Sequence, residues 1–302
     1  MQTLFPKKLR KGDTIGLLSV AGAIEDVNLV EKVKQYFGAK GFNIVVSPNY
    51  TKKTRYLSGN DDERAEALNC FFSDASIDAI ISLRGGYGSI RILDKLDYSV
   101  IKANPKIFAG YSDITALSLM IYKKTGLVTF NSPMGISDFA NGLDFLTENS
   151  FWDTLQNGIN KVKLVDTNVY RSGSAKGILW GGNLSTIQSL CGLDFLPRNE
   201  FIFVAEDINE PVYKIDKMFS QLFNIEQFSK NISAILLGDF TGIDNKYYFD
   251  DLMLELADKY CIPVMSGLKF GHEKSKLTFP IGANVYLDTD NCEILFNQTF
   301  EC

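Results

Sequence analysis

The sequence predicts an α/β fold built on a parallel sheet with helices on both faces. The first half alternates short apolar runs with amphipathic stretches, which is typical of βαβ units. Several of the apolar runs lead directly into glycine-containing or polar segments, as strands do at the carboxyl edge of such a sheet. At 302 residues, with 45 % hydrophobic and 22 % charged side chains, the composition is that of an ordinary globular protein. The length corresponds to two domains or to one large one.

The first half supplies four strands and three helices. Asp61, Asp62 and Glu63 place negative charge at the start of the second helix, where the helix dipole favours it. The predicted strands are residues 14–19, 42–47, 77–83 and 105–109. The predicted helices are residues 27–40, 65–72 and 114–123.

The second half begins near Gly177 and has a different pattern of short, largely apolar strands. Helical periodicity returns at residues 213–223, and residues 284–296 alternate enough to form a terminal hairpin. Residues 141–166 are less regular, and we expect them to carry the crossing between the two halves. The strands predicted in the second half are residues 201–205, 232–237 and 262–266.

Charge and hydropathy argue against two classes of partner. The 31 basic and 36 acidic residues leave a net charge of −5, whereas nucleic-acid binding calls for clustered positive charge. No apolar run reaches the roughly 18 residues of a membrane helix. Basic residues at positions 7–11 precede an apolar stretch at 15–24, a pattern shared by signal peptides and by a polar lead-in to a first strand. Because Gly16 and Ser19 interrupt the stretch, we favour the strand and a cytoplasmic protein.

The five cysteines are far apart in sequence and form no CxxC pair. An odd, dispersed set is typical of buried, small apolar residues in a reducing compartment. With a single histidine in the chain and no ligand spacing among the cysteines, a zinc site is not expected. The cysteines are Cys70, Cys191, Cys261, Cys292 and Cys302.

Two residues are candidates for proton transfer and nucleophilic attack. His272, the single histidine, lies in the polar segment GHEKSK, and imidazole suits proton transfer near neutral pH. Ser112 lies between a predicted strand and a predicted helix, the layout of a nucleophile elbow, although Ile114 stands where GxSxG has its second glycine. The amide after Ser112 would be an oxyanion donor at a helix N-terminus. The alternative is that Ser112 only caps the helix.

The segment RGGYGS at residues 84–89 has three glycines in four positions directly after a strand. Such a segment lets backbone amides approach an anion closely. It matches neither GxGxxG nor GxxxxGK[ST], so the nucleotide signal is weak. A phosphate cradle, an oxyanion donor opposite Ser112 and a structural turn all remain open.

The segment FIFVAEDINEP at residues 201–211 is predicted to begin as a strand and to place carboxylates at the end of that strand. Glu206 is placed by the strand end and could orient a histidine. Asp207 should face the opposite side of the sheet, and Glu210 is typical of an acid in a helix's first turn. A solvated acidic loop is the alternative.

Ser112, Glu206 and His272 occur in the order nucleophile, acid and base, each at or just beyond the end of a predicted strand. With the segments around them, the chain resembles the LD-carboxypeptidases, cytoplasmic serine peptidases that trim D-alanine from murein tetrapeptides and whose relatives include microcin C immunity peptidases. The resemblance covers nearly the whole chain. It is carried by GDTIGLLSVAG (12–22), RGGYGSIRIL (84–93), FAGYSDITAL (108–117), NSPMG (131–135), GGNLS (181–185), EDINEPVYKIDKM (206–218) and GHEKSKLTFPIG (271–282).

The resemblance implies a catalytic triad and an oxyanion hole, with no metal or organic cofactor. Many family members have glycine after the histidine, whereas here Glu273 follows and could turn toward the ring or into solvent. The implied nucleophile, orienting acid and general base are Ser112, Glu206 and His272. The implied oxyanion donors are the backbone amides of Gly86 and Asp113, with Gly85 as the weaker alternative.

The resemblance also implies a flavodoxin-like N-terminal domain (1–150) that carries the nucleophile and a smaller β-rich C-terminal domain (151–302) that carries the Glu and His. The implied partner is a murein peptide. One alternative is an immunity-type peptidase that cleaves aminoacyl-nucleotide amides, with Trp180 or Tyr87 stacking on the base. Another is a non-enzymatic module that holds an anion on RGGYGS. The sequence does not identify the residue that binds the substrate carboxylate, and a homodimer is one of the oligomeric states it allows.

Overall fold

The structure, a computed structural model, describes residues 2–301, and their first part alternates strands with helices. The strands are β1 (Thr14–Leu18), β2 (Asn43–Val46), β3 (Ala79–Ser82), β4 (Ile107–Ala109) and β5 (Thr129–Asn131). The helices are α1 (Asn28–Ala39), α2 (Asp61–Ser73), α3 (Tyr98–Ala103), α4 (Ile114–Thr125) and α5 (Phe145–Asn157).

The rest of the described chain is richer in strands. The strands are β6 (Lys161–Lys163), β7 (Val169–Arg171), β8 (Ser174–Asn183), β9 (Phe201–Ile208), β10 (Ile232–Thr241), β11 (Val264–Ser266), β12 (Phe279–Ile281), β13 (Asn284–Asp288) and β14 (Glu293–Phe296). The helices are α6 (Leu184–Ser189), α7 (Val212–Phe223), α8 (Glu226–Asn231) and α9 (Lys246–Tyr260).

The first sheet has the strand order β2–β1–β3–β4–β5, with β12 added beside β5. Its first five strands are parallel, and their order is that of flavodoxin-like folds. Alternate residues of the strands enter two separate apolar cores, so that Ile81 packs with α1 and α5 while Ile80 packs with α2 and α4. The sheet is thus covered on both faces, which confirms the predicted α/β class.

The second sheet is mixed, with the order β6–β14–β13–β8–β9–β10–β11–β7. Its centre, β8 to β11, is parallel, and antiparallel strands flank the centre on both sides. The predicted terminal hairpin is present as β13 and β14. Because β12 leaves this half of the chain and pairs antiparallel with β5, the second half also completes the first sheet.

Several elements differ from the sequence predictions. Helix α2 starts at Asp61 because the Asn60 side chain accepts from the Glu63 amide at 2.9 Å and the Glu63 carboxylate accepts from the Asn60 amide at 2.8 Å. Residues 141–166 lead from the first sheet to the second, as expected, but they are more regular than predicted. They contain α5, which the Asp144 side chain caps, and the short strand β6.

Cysteine burial differs from the expectation as well. Cys70 and Cys261 are exposed, Cys191 and Cys292 are partly buried, and none of these four forms a disulfide. Cys302 lies outside the described residues. None of the helices within residues 2–301 is long and apolar enough to span a membrane.

Candidate active site

The structure brings Ser112, His272 and Glu206 into one hydrogen-bonded chain. His272 Nε2 lies 3.1 Å from Ser112 Oγ, and His272 Nδ1 lies 2.9 Å from Glu206 Oε2. Ser112 follows β4 of the first sheet, Glu206 lies inside β9 of the second, and His272 is in the irregular segment after β11. The three side chains therefore meet only because the two sheets are packed together.

Ser112 has the backbone of a strained strand-to-helix turn. Its φ is +60°, in the left-handed region that is rare for residues other than glycine. Among the described residues its hydroxyl is hydrogen-bonded only to His272, and the start of α4 has no side-chain cap. A Cβ on Gly110 would lie 2.9 Å from Ile114, so the turn requires glycine there. The simple helix-cap interpretation of Ser112 is therefore wrong.

The glycine-rich segment passes directly over the serine. A Cβ on Gly85 would lie 2.9 Å from Ser112 Cβ and 3.0 Å from Ser112 Oγ, so only glycine fits. Gly86 has a φ of +109° and is exposed. Within residues 2–301 the backbone amides of Gly86 and Asp113 donate no hydrogen bond to the protein. Both amides are available to an oxyanion.

The Asp113 side chain links the segments that follow β3 and β4, in which these two amides lie. Its carboxylate is buried and accepts from the Ser89 amide at 2.9 Å. Burial raises the pKa of this carboxyl above its ordinary range. The contact holds the start of α4 against the glycine-rich segment, so Ser112 and Gly86 keep a constant relative position.

Glu206 is completely buried and faces the histidine ring. A Cβ on Gly271 would lie 2.8 Å from Glu206 Oε2, and the φ of +126° at Gly271 favours glycine, so the backbone before His272 can pass close to the carboxylate. A carboxylate on the Nδ1 side favours the tautomer with the proton on Nδ1. The lone pair of Nε2 then faces the Ser112 hydroxyl.

The neighbouring carboxylates face elsewhere. Asp207 accepts from the Ser185 amide at 2.8 Å on the opposite side of β9, and burial raises the pKa of Asp207 to about 6. Glu210 lies before Pro211, the N-cap of α7, so the expectation that it is in the first turn of the helix is wrong; its Oε2 lies 3.2 Å from Lys214 Nζ. Because successive side chains of β9 point to opposite faces, Glu206 and not Asp207 faces His272, as the sequence predicted.

Glu273, which follows His272 in the sequence, is exposed. It accepts a hydrogen bond of 2.7 Å from the Thr241 hydroxyl. Its carboxylate is therefore held by β10, and Glu206 is the carboxylate hydrogen-bonded to the His272 ring.

Sequence reasoning did not find the ion pair beside His272. The Tyr111 ring packs edge-on against the imidazole with 5.2 Å between centroids. Lys276 Nζ lies 4.4 Å from the centroid of the Tyr111 ring and donates to Asp138 Oδ1 at 2.6 Å and to the Tyr111 hydroxyl at 3.3 Å. Burial raises the pKa of the Tyr111 phenol. A lysine in the polar segment GHEKSK has no sequence signal that separates it from a solvated one.

The two aromatic residues suggested for base stacking differ in their exposure to solvent. Trp180 is completely buried against Phe195, Phe201 and Phe203, so the expectation that it stacks on a ligand is wrong. Tyr87 is 46 % exposed in the glycine-rich segment. Within residues 2–301 no group of three His, Cys, Asp or Glu side chains is placed to hold a metal ion.

Known proteins resemble this chain over nearly its whole length. A "Probable murein peptide carboxypeptidase" of Bacillus subtilis is 34 % identical over 296 residues, covering 94 % of this chain and 91 % of that protein. The "Microcin C7 self-immunity protein MccF" of Escherichia coli is 33 % identical over 335 residues, covering 98 % and 96 %.

Solved structures that superpose on this chain come from the same two kinds of protein. MccF in complex with aspartyl sulfamoyl adenosine superposes with a TM-score of 0.89 at 31 % identity, covering 99 % of this chain and 100 % of that one. A muramoyltetrapeptide carboxypeptidase from Oxalobacter formigenes superposes with a TM-score of 0.87 at 28 % identity, covering 95 % and 100 %. Family models describe the LD-carboxypeptidase N-terminal domain, matched by residues 15–132, and the C-terminal domain, matched by residues 176–287. Matched in both halves, this chain belongs to the LD-carboxypeptidase family of peptidases.

Proposed function

We propose that this protein is a serine-type LD-carboxypeptidase that releases terminal D-alanine from murein tetrapeptides in the cytoplasm, as a step of peptidoglycan recycling. One observation carries the proposal. Ser112 has a strained backbone, lies beside unpaired amides and is hydrogen-bonded through His272 to the buried Glu206. That arrangement is the one that acyl transfer through a serine requires.

In the proposed reaction the Ser112 oxygen attacks the carbonyl carbon of the peptide bond that precedes D-alanine, while His272 Nε2 takes the hydroxyl proton. The amides of Gly86 and Asp113 stabilise the negative oxygen that develops, and Glu206 stabilises the imidazolium. His272 then protonates the leaving amine, and D-alanine departs from an acyl-enzyme. Water, deprotonated by His272, hydrolyses the acyl-enzyme and releases the shortened peptide.

Release of D-alanine from a murein tetrapeptide tests the proposal. Ser112→Ala should lower the rate on the order of 10³-fold or more, because triad residues act as a unit. Ser132→Ala is the matched control, since the Ser132 hydroxyl bonds only to the carbonyl of its neighbour Pro133 within the described residues. A fluorophosphonate probe should label Ser112 in the wild type. Wild-type release by Ser112→Ala, or tight anion binding with no labelling, would contradict the proposal.

A second candidate is cleavage of an aminoacyl-nucleotide amide. It is favoured by the relative named MccF, whose solved complexes include one with aspartyl sulfamoyl adenosine, and by the exposed ring of Tyr87 in the glycine-rich segment. The burial of Trp180 removes the other aromatic side chain considered for stacking. Turnover of a murein tetrapeptide and of an aminoacyl-nucleotide amide, measured side by side, distinguishes the two substrates.

A further inference from the structure

A carboxypeptidase must distinguish the last residue of a peptide by its free α-carboxylate. In the leaving residue only the amide nitrogen and one Cα separate that carboxylate from the scissile carbonyl, a distance of roughly 4 Å. The group that binds it must therefore lie beside Ser112 and the oxyanion donors. An arginine with unpaired N–H groups suits the task, because a guanidinium matches a carboxylate with two parallel hydrogen bonds.

Two of the arginines packed around the glycine-rich segment are already engaged. Arg64 is completely buried and donates to the carbonyl oxygens of Val20 and Gly88 and to the carboxylate of Asp61. Arg91 forms two hydrogen bonds with the same carboxylate, at 3.0 and 2.6 Å. Both guanidinium groups are therefore already paired with the Asp61 carboxylate, which occupies the place that a substrate carboxylate would take.

Arg84 differs from both. It is partly buried, and its Nη1 donates to the Ala23 carbonyl at 2.6 Å, which holds the guanidinium in place. Within residues 2–301 its Nε and Nη2 have no hydrogen-bond partner. A Cβ on Gly22 would lie 3.3 Å from Arg84 Nε, and a Cβ on Gly86 would lie 3.7 Å from Arg84 Nη2. Because both positions are glycine, no side chain from them covers the guanidinium.

The same glycines connect Arg84 to the nucleophile. The Gly22 amide donates to the Gly85 carbonyl at 3.0 Å, and the Cβ position of Gly85 is 3.0 Å from Ser112 Oγ. The guanidinium thus borders the segment that covers the serine. The protein carries a net charge of −5, and Glu206 adds a buried carboxylate to the site, so an anionic substrate terminus needs a local cation.

We infer that Arg84 binds the α-carboxylate of the leaving residue through Nε and Nη2 and so restricts the enzyme to carboxyl-terminal residues. The inference rests on the proposed function, and it makes Arg84 a specificity-determining residue for that reaction. The carboxylate replaces water on the two free N–H groups, and the Ala23 carbonyl keeps the guanidinium oriented during binding.

The test compares two murein tetrapeptides that differ only at the carboxyl terminus, one with a free carboxylate and one with an amide. For the wild type, kcat/KM should favour the free acid. Arg84→Gln should lower kcat/KM on the free acid roughly 10- to 100-fold, the range expected for hydrogen bonds to a charged group, and leave the amide substrate unchanged. Arg84→Lys, which keeps the charge but not the two parallel N–H groups, should fall between.

Controls separate the possible failures. Arg10→Gln changes an exposed arginine before β1, at the opposite edge of the sheet, and should behave as the wild type. Fluorophosphonate labelling of Ser112 in Arg84→Gln should keep its wild-type rate, which shows an intact triad. An equal loss on both substrates would overturn the inference and assign Arg84 to the oxyanion. If the wild type releases neither D-alanine from the free acid nor D-alanine amide from the amide peptide, the proposed function fails, and the inference fails with it.

Discussion

Replacement of Lys276 by methionine tests whether the buried ion pair beside His272 holds the imidazole ring against the Ser112 hydroxyl. Lys276 is 2 % exposed, and the Asp138 side chain is 10 % exposed. In Lys276→Met the Asp138 carboxylate would keep the Met134 amide, at 2.8 Å, but lose its cation. Breaking such a buried pair costs about 3–5 kcal/mol, because the remaining charge is desolvated without compensation.

The consequence can be measured in two ways. A cost of that size is a large fraction of the 5–15 kcal/mol that stabilises a typical protein, and it should lower Tm on the order of 10 °C. The Tyr111 ring would also lose the ammonium group that holds it in place. The His272 imidazole packs against this ring, so it would lose a fixed neighbour. We therefore expect kcat for D-alanine release to fall about 10- to 100-fold with little change in KM, since displacement of a catalytic group acts on the chemical step.

Two further variants separate stability from positioning. Lys274→Met changes an exposed lysine of the same segment and should leave both Tm and kcat unchanged. Lys276→Met combined with Asp138→Leu removes both charges, which should restore most of the lost stability while kcat stays low. Unchanged Tm and kcat in Lys276→Met would refute the reasoning. Recovery of kcat together with Tm in the double variant would show that the pair only stabilises the fold.

Two other predictions concern the glycine-rich segment and the side of β9 that faces away from His272. Gly85→Ala places a methyl group 3.0 Å from Ser112 Oγ and should lower kcat at least 100-fold with an unchanged circular dichroism spectrum; wild-type kcat would contradict the geometry. Burial raises the pKa of Asp207 to about 6, above its unfolded value of 3.8, so ionisation of Asp207 opposes folding. As the pH falls from 7 to 4, Tm of the wild type should therefore rise relative to Asp207→Asn, and a constant difference between the two would exclude this linkage.

Local patterns were sufficient for much of the first sheet. The apolar runs that form β1, β3 and β4 are continuous because both faces of these strands are buried, and the turn residues after them mark the carboxyl edge. Helix α5 was not predicted, because its apolar residues are not confined to its buried face. Phe145 and Leu146 are 82 % and 43 % exposed at its start, so apolar side chains on the solvent face obscure its periodicity. Strand β12 is three residues long, contains Pro280 and exists only through pairing with β5.

The sequence by itself determined the α/β class, the order of the candidate nucleophile, acid and base along the chain, and the choice of Glu206 over Asp207, because these depend on periodicities of a few residues. Only the tertiary structure decided what meets at the site. Ser112 and His272 are 160 residues apart, and their 3.1 Å contact depends on how the two sheets pack. For the same reason the pairing of Lys276 with Asp138, the burial of Trp180 and the free N–H groups of Arg84 could not be foreseen. Burial and pairing of a side chain depend on residues distant in sequence, and no local pattern encodes them.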